Sequence, residues 1–335
     1  MRRMSIRAVV VGTGYAGQRH AAALRELGIA FEGPLSAREV VSAPSAIARP
    51  GLVVHVCASN DLHAPLVSAA LAAGSDVVCE KPLAVDAVTA VDLASRAQAS
   101  GRLAVLAYGY RFHPMAVELV ARAAAGDIGE IHDVRGGFLQ DWLLSASDDN
   151  WRVDAKRGGA ARVVADIGSH WLDLAELATG RRVEAVVAQI GRLHGRATED
   201  HASLLIRFAG GLGGSCVLSQ ASAGHANDFD VSIDGAEGSL RWRFERPDEL
   251  LIGSRGATRI LSRGPELRSS IARELASRKP GPNEGRRNLL AAVYEKLDRR
   301  AGPLPLPTFA DGVRHLRFAD AALVSARTRA WVDVV

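Results

Sequence analysis

With 335 residues, 48% hydrophobic and 23% charged, the chain is long enough for two domains and has the composition of a soluble globular protein. No apolar run approaches the roughly 20 residues of a membrane helix, and Met1-Arg2-Arg3-Met4-Ser5 leads straight into a strand without room for an export signal, so a cytoplasmic location is expected. The net charge of +4 is spread over scattered basic residues without interleaved aromatics, which argues against a nucleic-acid partner; Arg286-Arg287 and Arg299-Arg300 read as solvated surface.

The first third alternates strand and helix: strand Ala8 to Val11, helix Gly17 to Leu27, strand Leu52 to Cys57, helix Ala64 to Ala73, strand Asp76 to Cys79 and helix Asp86 to Ser100. Continuous apolar strands predict a parallel sheet covered on both faces. Beyond about residue 107 strands dominate, at Glu130 to Phe138, Val183 to Gly191, His201 to Phe208, Leu212 to Gln220, Phe229 to Ile233, Gly238 to Phe244 and Leu250 to Ile252. They predict a large, mostly antiparallel open sheet, with Asp234-Gly235 as a hairpin turn. Asn288 to Leu297 and Gly312 to Thr328 read as closing helices; Pro280, Pro282, Pro303, Pro305 and Pro307 mark the loops around the first. Cys57, Cys79 and Cys216 lie far apart and show no paired spacing, so reduced thiols are expected, with no disulfide framework and no metal site.

The turn Gly12-Thr13-Gly14-Tyr15-Ala16-Gly17 follows a valine-rich strand and opens an alanine-rich helix. Gly12 allows the tight turn, Gly14 lets the backbone approach a pyrophosphate, and Gly17 lets the helix pack close to the sheet. The expected fold is therefore α/β: an N-terminal Rossmann domain over 1-107 that binds NAD or NADP, and a C-terminal α+β domain over 108-335. The second strand decides between the cofactors. Glu32 lies twenty residues after Gly12 and favours NAD, to which the reading leans, whereas Ser36-Ala37-Arg38 suits a phosphate and hence NADP. The segment from Gly33 to Leu52, interrupted by Pro34, Pro44 and Pro50, is short for a helix plus a strand, and an element is expected to be trimmed or missing.

Two further segments carry ionisable groups. Lys81, in Cys79-Glu80-Lys81-Pro82-Leu83, follows a strand and sits at the edge where ligands of parallel sheets bind; partial burial suits a lysine to proton transfer, but pairing with Glu80 on the surface explains it equally. Asp166 and His170 stand four residues apart at the start of a helix, which puts them on one face. On the residues alone, a capping aspartate with a partly buried histidine explains that pair slightly better than catalysis does, and a metal site lacks a third ligand nearby.

These segments, with His20, Ala58-Ser59-Asn60, His63, Arg111-Phe112, Pro114, Gly126-Asp127-Ile128-Gly129-Glu130, Glu199-Asp200, Asp234-Gly235 and the tail from Asp311 to Ala326, resemble in order the Gfo/Idh/MocA oxidoreductases, the family of glucose-fructose oxidoreductase and inositol dehydrogenase. Gln140-Asp141-Trp142-Leu143, Asn150-Trp151-Arg152, His170-Trp171-Leu172-Asp173, Gly238-Ser239-Leu240, Trp242 and Glu245-Arg246-Pro247 resemble its sugar dehydrogenase branch. The resemblance implies that the glycine turn, Ala58, Ser59, Asn60, His63, Glu80 and Lys81 hold the cofactor. It also implies that Lys81, Asp166 and His170 manage the proton while hydride moves between the nicotinamide and a C-OH or C=O of a sugar, polyol or sugar derivative. It further implies that the sheet domain closes the substrate cleft and mediates a homodimer or homotetramer. Arg111, Trp142, Trp151 and Arg152 are candidate substrate contacts, since aromatic faces stack on sugar rings and arginine grips hydroxyls. The same resemblance allows a reductase of a keto sugar or imine, or a non-catalytic ligand sensor; Lys81, Asp166 and His170 argue against the sensor. Two departures stand out: Gly158-Gly159-Ala160-Ala161 replaces a more glycine-rich run, and His225-Ala226-Asn227-Asp228 stands where the sugar branch often has a basic residue.

Overall fold

The computed structural model describes residues 7–298 and 305–335; Met1-Arg2-Arg3-Met4-Ser5, Arg299-Arg300 and Pro303 lie outside them. In chain order the elements are β1 (Arg7–Val11), α1 (Tyr15–Glu26), β2 (Phe31–Leu35), α2 (Ala37–Ser42), β3 (Leu52–Val56), α3 (His63–Ala72), β4 (Asp76–Cys79), α4 (Ala87–Ser100) and β5 (Ala104–Leu106). There follow α5 (Pro114–Ala124), β6 (Ile131–Leu139), α6 (Ala155–Gly158), α7 (Ser169–Thr179), β7 (Val183–Gly191), β8 (His201–Phe208) and β9 (Gly213–Ser219). The chain closes with β10 (Asp228–Gly235), β11 (Ser239–Arg243), β12 (Glu249–Gly253), β13 (Thr258–Ser262), α8 (Ser270–Ser277), α9 (Glu284–Leu297), α10 (Phe309–Thr328) and β14 (Val332–Asp333). Two compact units result. Unit 1 comprises Met1–Gly109, Lys156–Gly159 and Gly281–Val313; unit 2 comprises Tyr110–Ala155, Ala160–Pro280 and Arg314–Val335.

Unit 1 is built on a five-stranded parallel sheet in the order β2-β1-β3-β4-β5. Its central strands bury both faces: Val9, Val10, Val11, Val54 and Val56 are all fully buried, which is why they read as unbroken apolar runs. Helix α4 starts where the Asp86 side chain accepts from Thr89 N at 2.7 Å and stops at Gly101, whose φ of +63° ends the helix. Helix α9 packs on α1, and Asn283 Nδ2 donates to Arg19 O at 2.8 Å. The short segment after Gly33 is trimmed but loses no strand: six-residue α2 and a 3-10 turn at Pro44–Ala46 lead directly into β3.

Unit 2 is built on a nine-stranded sheet, β13-β12-β11-β10-β6-β9-β8-β7-β14, antiparallel except where β6 meets β9. In β8 the burial alternates residue by residue, so one face is covered and the other open. Helices α5 and α7 pack on the sheet, over a core that includes Phe138, Trp171, Phe208, Phe229 and Trp242. The expected hairpin forms between β10 and β11, but Asp234 and Gly235 are its last strand residues and the loop runs over 236–238. Strand β13 and helices α5 and α8 were not separated by the sequence pattern. Among the described residues, no helix is long and apolar enough to cross a membrane, and the three cysteines are buried and free, with burial pushing their thiols up.

Candidate active site

The strand order of unit 1 reverses between β1 and β3, and ligands of open parallel sheets bind at the carboxyl ends of strands at such a point. There β1 ends in Gly12 and β3 leads to Ala58-Ser59-Asn60. Gly12 has φ +122°, and a Cβ on it would fall 2.1 Å from Cys57 O; one on Gly17 would fall 1.7 Å from Gly12 O. Both must be glycine. A Cβ on Gly14 would meet nothing within 4 Å, Thr13 and Tyr15 are exposed, Ala16 is half-buried, and no acidic residue stands in the first turn of α1. An open backbone at a helix N-terminus free of negative charge is what a pyrophosphate requires, so the residues present fit a dinucleotide. Asn60 is buried, its amide donating to Gly158 O at 2.8 Å, while Ala58 and Ser59 are half-buried.

Register separates the two cofactor readings. Glu32 lies inside β2 opposite Val9, and the bulge at Gly33-Pro34 brings Leu35 opposite Val11. Leu35 O accepts from Gly12 N at 2.8 Å, so Leu35 and Ser36 flank the glycine turn. Glu32, opposite Val9, is two residues of β1, or roughly 7 Å, back from that edge. Its carboxylate meets Arg49 at 2.8 Å, with the two side chains 48% and 44% exposed. The position nearest the turn is Ser36, with Arg38 exposed on α2 just beyond it. Glu32 thus keeps its place opposite Val9, and the extra residue of the bulge enters between it and Leu35.

Lys81, half-buried, follows β4 at the same edge of unit 1 and precedes Pro82 through a cis peptide bond. Its neighbour Glu80 faces inward. His20 Nε2 lies 3.1 Å from Glu80 Oε1, as does an Arg286 nitrogen; His20 Nδ1 lies 2.9 Å from His55 Nδ1, and His55 Nε2 lies 2.9 Å from the Tyr294 hydroxyl. Burial alone would raise the Glu80 carboxyl, but the Arg286 charge and the His20 bond hold it well below the usual carboxylate range. An ionised carboxylate only accepts. His20 therefore donates from Nε2 and accepts at Nδ1, His55 donates from Nδ1, and Tyr294 donates to His55 Nε2. Burial pushes both imidazoles down, and His20 pushes His55 lower still, so the neutral forms that this order needs are the stable ones. His63 is fully buried, its two ring nitrogens 2.9 Å from Pro82 O and 3.1 Å from Ala58 O. His63 thus lies between the Ala58 loop and the turn after Lys81, and the Glu80 bonds to His20 and Arg286 both fall on Oε1.

In unit 2, Asp166 sits in a π-helical turn, Val164–Gly168, that runs straight into α7, where His170 occupies the first turn. Such turns gather at functional sites. Arg152 Nε lies 3.3 Å from Asp166 Oδ1, and the Arg152 guanidinium stacks 4.3 Å over the half-buried Trp151 ring. Gln220 Nε2 donates to Asp166 Oδ2 at 2.8 Å. The half-buried His170 packs edge-on against Tyr110 at 4.9 Å; Asn227 donates to the Tyr110 hydroxyl and accepts from Gln140, which also accepts from Trp142 Nε1. The structure brings Trp151 and Arg152, read as substrate contacts, beside Asp166, read as catalytic, and adds Gln220, Gln140 and Asn227, to which the sequence reading gave no role and whose partners lie 54 to 117 residues away.

Arg111 is buried, and its Nε and an NH2 group both bind the buried Asp173, the Nε at 2.8 Å. A bidentate pair of this kind ties the guanidinium to α7.

A Rossmann unit with an open pyrophosphate edge, together with an ionisable pair on the second unit, defines a nicotinamide-dependent oxidoreductase. Residues 6–108 match the model of an oxidoreductase family with an NAD-binding Rossmann fold, and residues 117–241 match that of the GFO/IDH/MocA C-terminal domain. The chain belongs to the Gfo/Idh/MocA family. Levoglucosan dehydrogenase of Pseudarthrobacter phenanthrenivorans is 28% identical over 315 residues, 84% of this chain and 80% of that protein. A solved levoglucosan dehydrogenase in complex with NADH is 26% identical, with a TM-score of 0.88 over 98% of this chain and 99% of that one. An inositol dehydrogenase homolog from Azotobacter vinelandii, complexed with NADH and myo-inositol, is 25% identical, with a TM-score of 0.83 over 98% and 97%.

Proposed function

We propose that the chain oxidises a ring hydroxyl of a sugar, polyol or sugar derivative, with NADP as its preferred cofactor. The observation that carries the chemistry is the Asp166 carboxylate, held between Arg152 and Gln220 one helical turn before His170. When bound, the nicotinamide supplies the hydride acceptor. Proton management is assigned to Lys81, Asp166 and His170, which resemble the family's catalytic positions one by one. Trp142, Trp151 and Arg152 offer ring faces and donors suited to a polyol. Relatives that act on levoglucosan, or that bind myo-inositol, support a carbohydrate-like substrate. NADP rests on Ser36 and Arg38, which follow the end of β2, where NAD-specific strands end in an acid. The open sheet face, with Leu205 and Val217 about half exposed, is read as the self-association surface of a cytoplasmic homo-oligomer.

Calorimetric titration with NADPH and NADH, followed by a polyol screen that includes levoglucosan and myo-inositol, tests this reading. NADPH should bind more tightly, and Arg38→Ala should weaken it about 10- to 100-fold, as expected for lost charge-assisted bonds, while Glu32→Ala leaves both affinities unchanged. Tighter NADH binding would refute the cofactor assignment. Binding of neither would refute the enzyme.

A further inference from the structure

Asp166 is held by a closed ring of buried groups that the family match does not assign. Asp166 N donates to Arg162 O at 2.7 Å; Gln220 Nε2 donates to Asp166 Oδ2 at 2.8 Å; and Arg162 NH1 donates to Gln220 Oε1 at 2.7 Å. The ring fixes the orientation of the Gln220 amide. A guanidinium only donates, so the atom facing Arg162 is the amide oxygen, and the NH2 group is left for the carboxylate. The amide is therefore polarised at both ends, by a cation on its oxygen and an anion on its nitrogen, which strengthens both bonds.

The rest of the shell is rigid. Gln220 is fully buried directly after β9, and its backbone N extends the β8–β9 ladder by donating to Asp200 O at 3.0 Å. Arg162, 1% exposed, donates from Nε to Thr198 at 2.9 Å and from NH2 to the Asp200 carboxylate, which also takes Arg196 NH1 at 2.9 Å. Arg162 and Arg196 thus balance Asp200 and Asp166. Glu199 is pushed up by burial, toward its uncharged form, and accepts from Val164 N at 3.2 Å. The other oxygen of Asp166 meets the more exposed Arg152.

We propose that Gln220 is a positioning residue: its amide, oriented by Arg162, aims the Asp166 carboxylate and keeps it ionised for proton management at the reacting hydroxyl. The claim rests on the catalytic role given above to Asp166.

Two variants and two readouts test it. Gln220→Leu removes the donor, and Gln220→Glu keeps an acceptor for Arg162, so it carries the test if the leucine variant fails to fold. In a 13C carboxyl titration, with Asp166 assigned from the Asp166→Asn spectrum, either variant should raise the pH at which Asp166 takes up its proton, by about one pH unit, because a donor to the charged form is lost. With levoglucosan as the probe, Gln220→Leu should lower kcat by about 100-fold and leave the Kd for NADPH unchanged. An unchanged Asp166 titration in both variants, with only a lower Tm, would overturn the proposal. A fully active Asp166→Asn enzyme would instead refute the catalytic role of Asp166, and the titration would still decide what Gln220 does.

Discussion

Replacing Arg111 by leucine separates a structural ion pair from a substrate grip. The Arg111 and Asp173 side chains are 7% and 2% exposed, and the pair is bidentate. Removing the cation leaves a carboxylate buried without its counter-charge, which costs about 3–5 kcal/mol. For a unit of this size each kcal/mol lowers Tm by roughly 2–4 °C, so the transition of the second unit should fall by about 6–20 °C. The double variant Arg111→Leu, Asp173→Leu should recover most of that loss, because exchanging a buried pair for apolar groups of similar volume is close to neutral. Thermal and urea denaturation of the four proteins in the cycle give the coupling, and KM for the best polyol gives the control. Loss of less than about 1 kcal/mol in the single variant, together with a tenfold rise in KM, would mean that Arg111 holds substrate after all.

Lys81→Ala should abolish turnover while NADPH binds within about twofold of the parent, well under the tenfold that 1.4 kcal/mol produces; surviving turnover would remove Lys81 from the chemistry. Stability should fall as the pH drops from 6.5 to 4, because His113, held down to about 4 by burial, refuses a proton that the unfolded chain accepts from about 6.5 downward. That term reaches about 3 kcal/mol at pH 4, and His20, His55 and His63 add to it with the same sign. A His113→Phe variant whose stability falls as steeply between those pH values as the parent's would contradict this. In 15N spectra His20 should carry its proton on Nε2 and His55 on Nδ1. Tyr294→Phe, which removes the donor at 2.9 Å from His55, should cost about 1 kcal/mol; the opposite tautomers would reverse the assigned direction of the chain.

Local spacing was enough for much of this molecule. The run from β1 through Gly12 and Gly17 into α1, the Asp86 start of α4, and the alternation in β8 each follow from backbone geometry and burial over a few residues, and such rules hold wherever the segment ends up. Asp166 and His170 were legible for the same reason, since four residues on a helical run share a face. The polar pairings all depend on distant partners. A bulge after Glu32 brings Leu35 opposite Val11, and Arg111 pairs with Asp173, 62 residues away. His55 met Tyr294 across 239 residues, and Gln220 reached Asp166 only because β9 lies beside the π turn. Sequence determined which residues form strands, turns and helix starts, because those are settled by steric and hydrogen-bonding rules along the chain. Tertiary structure alone decided which polar groups meet, because register and packing choose the partner that a buried charge or amide must have.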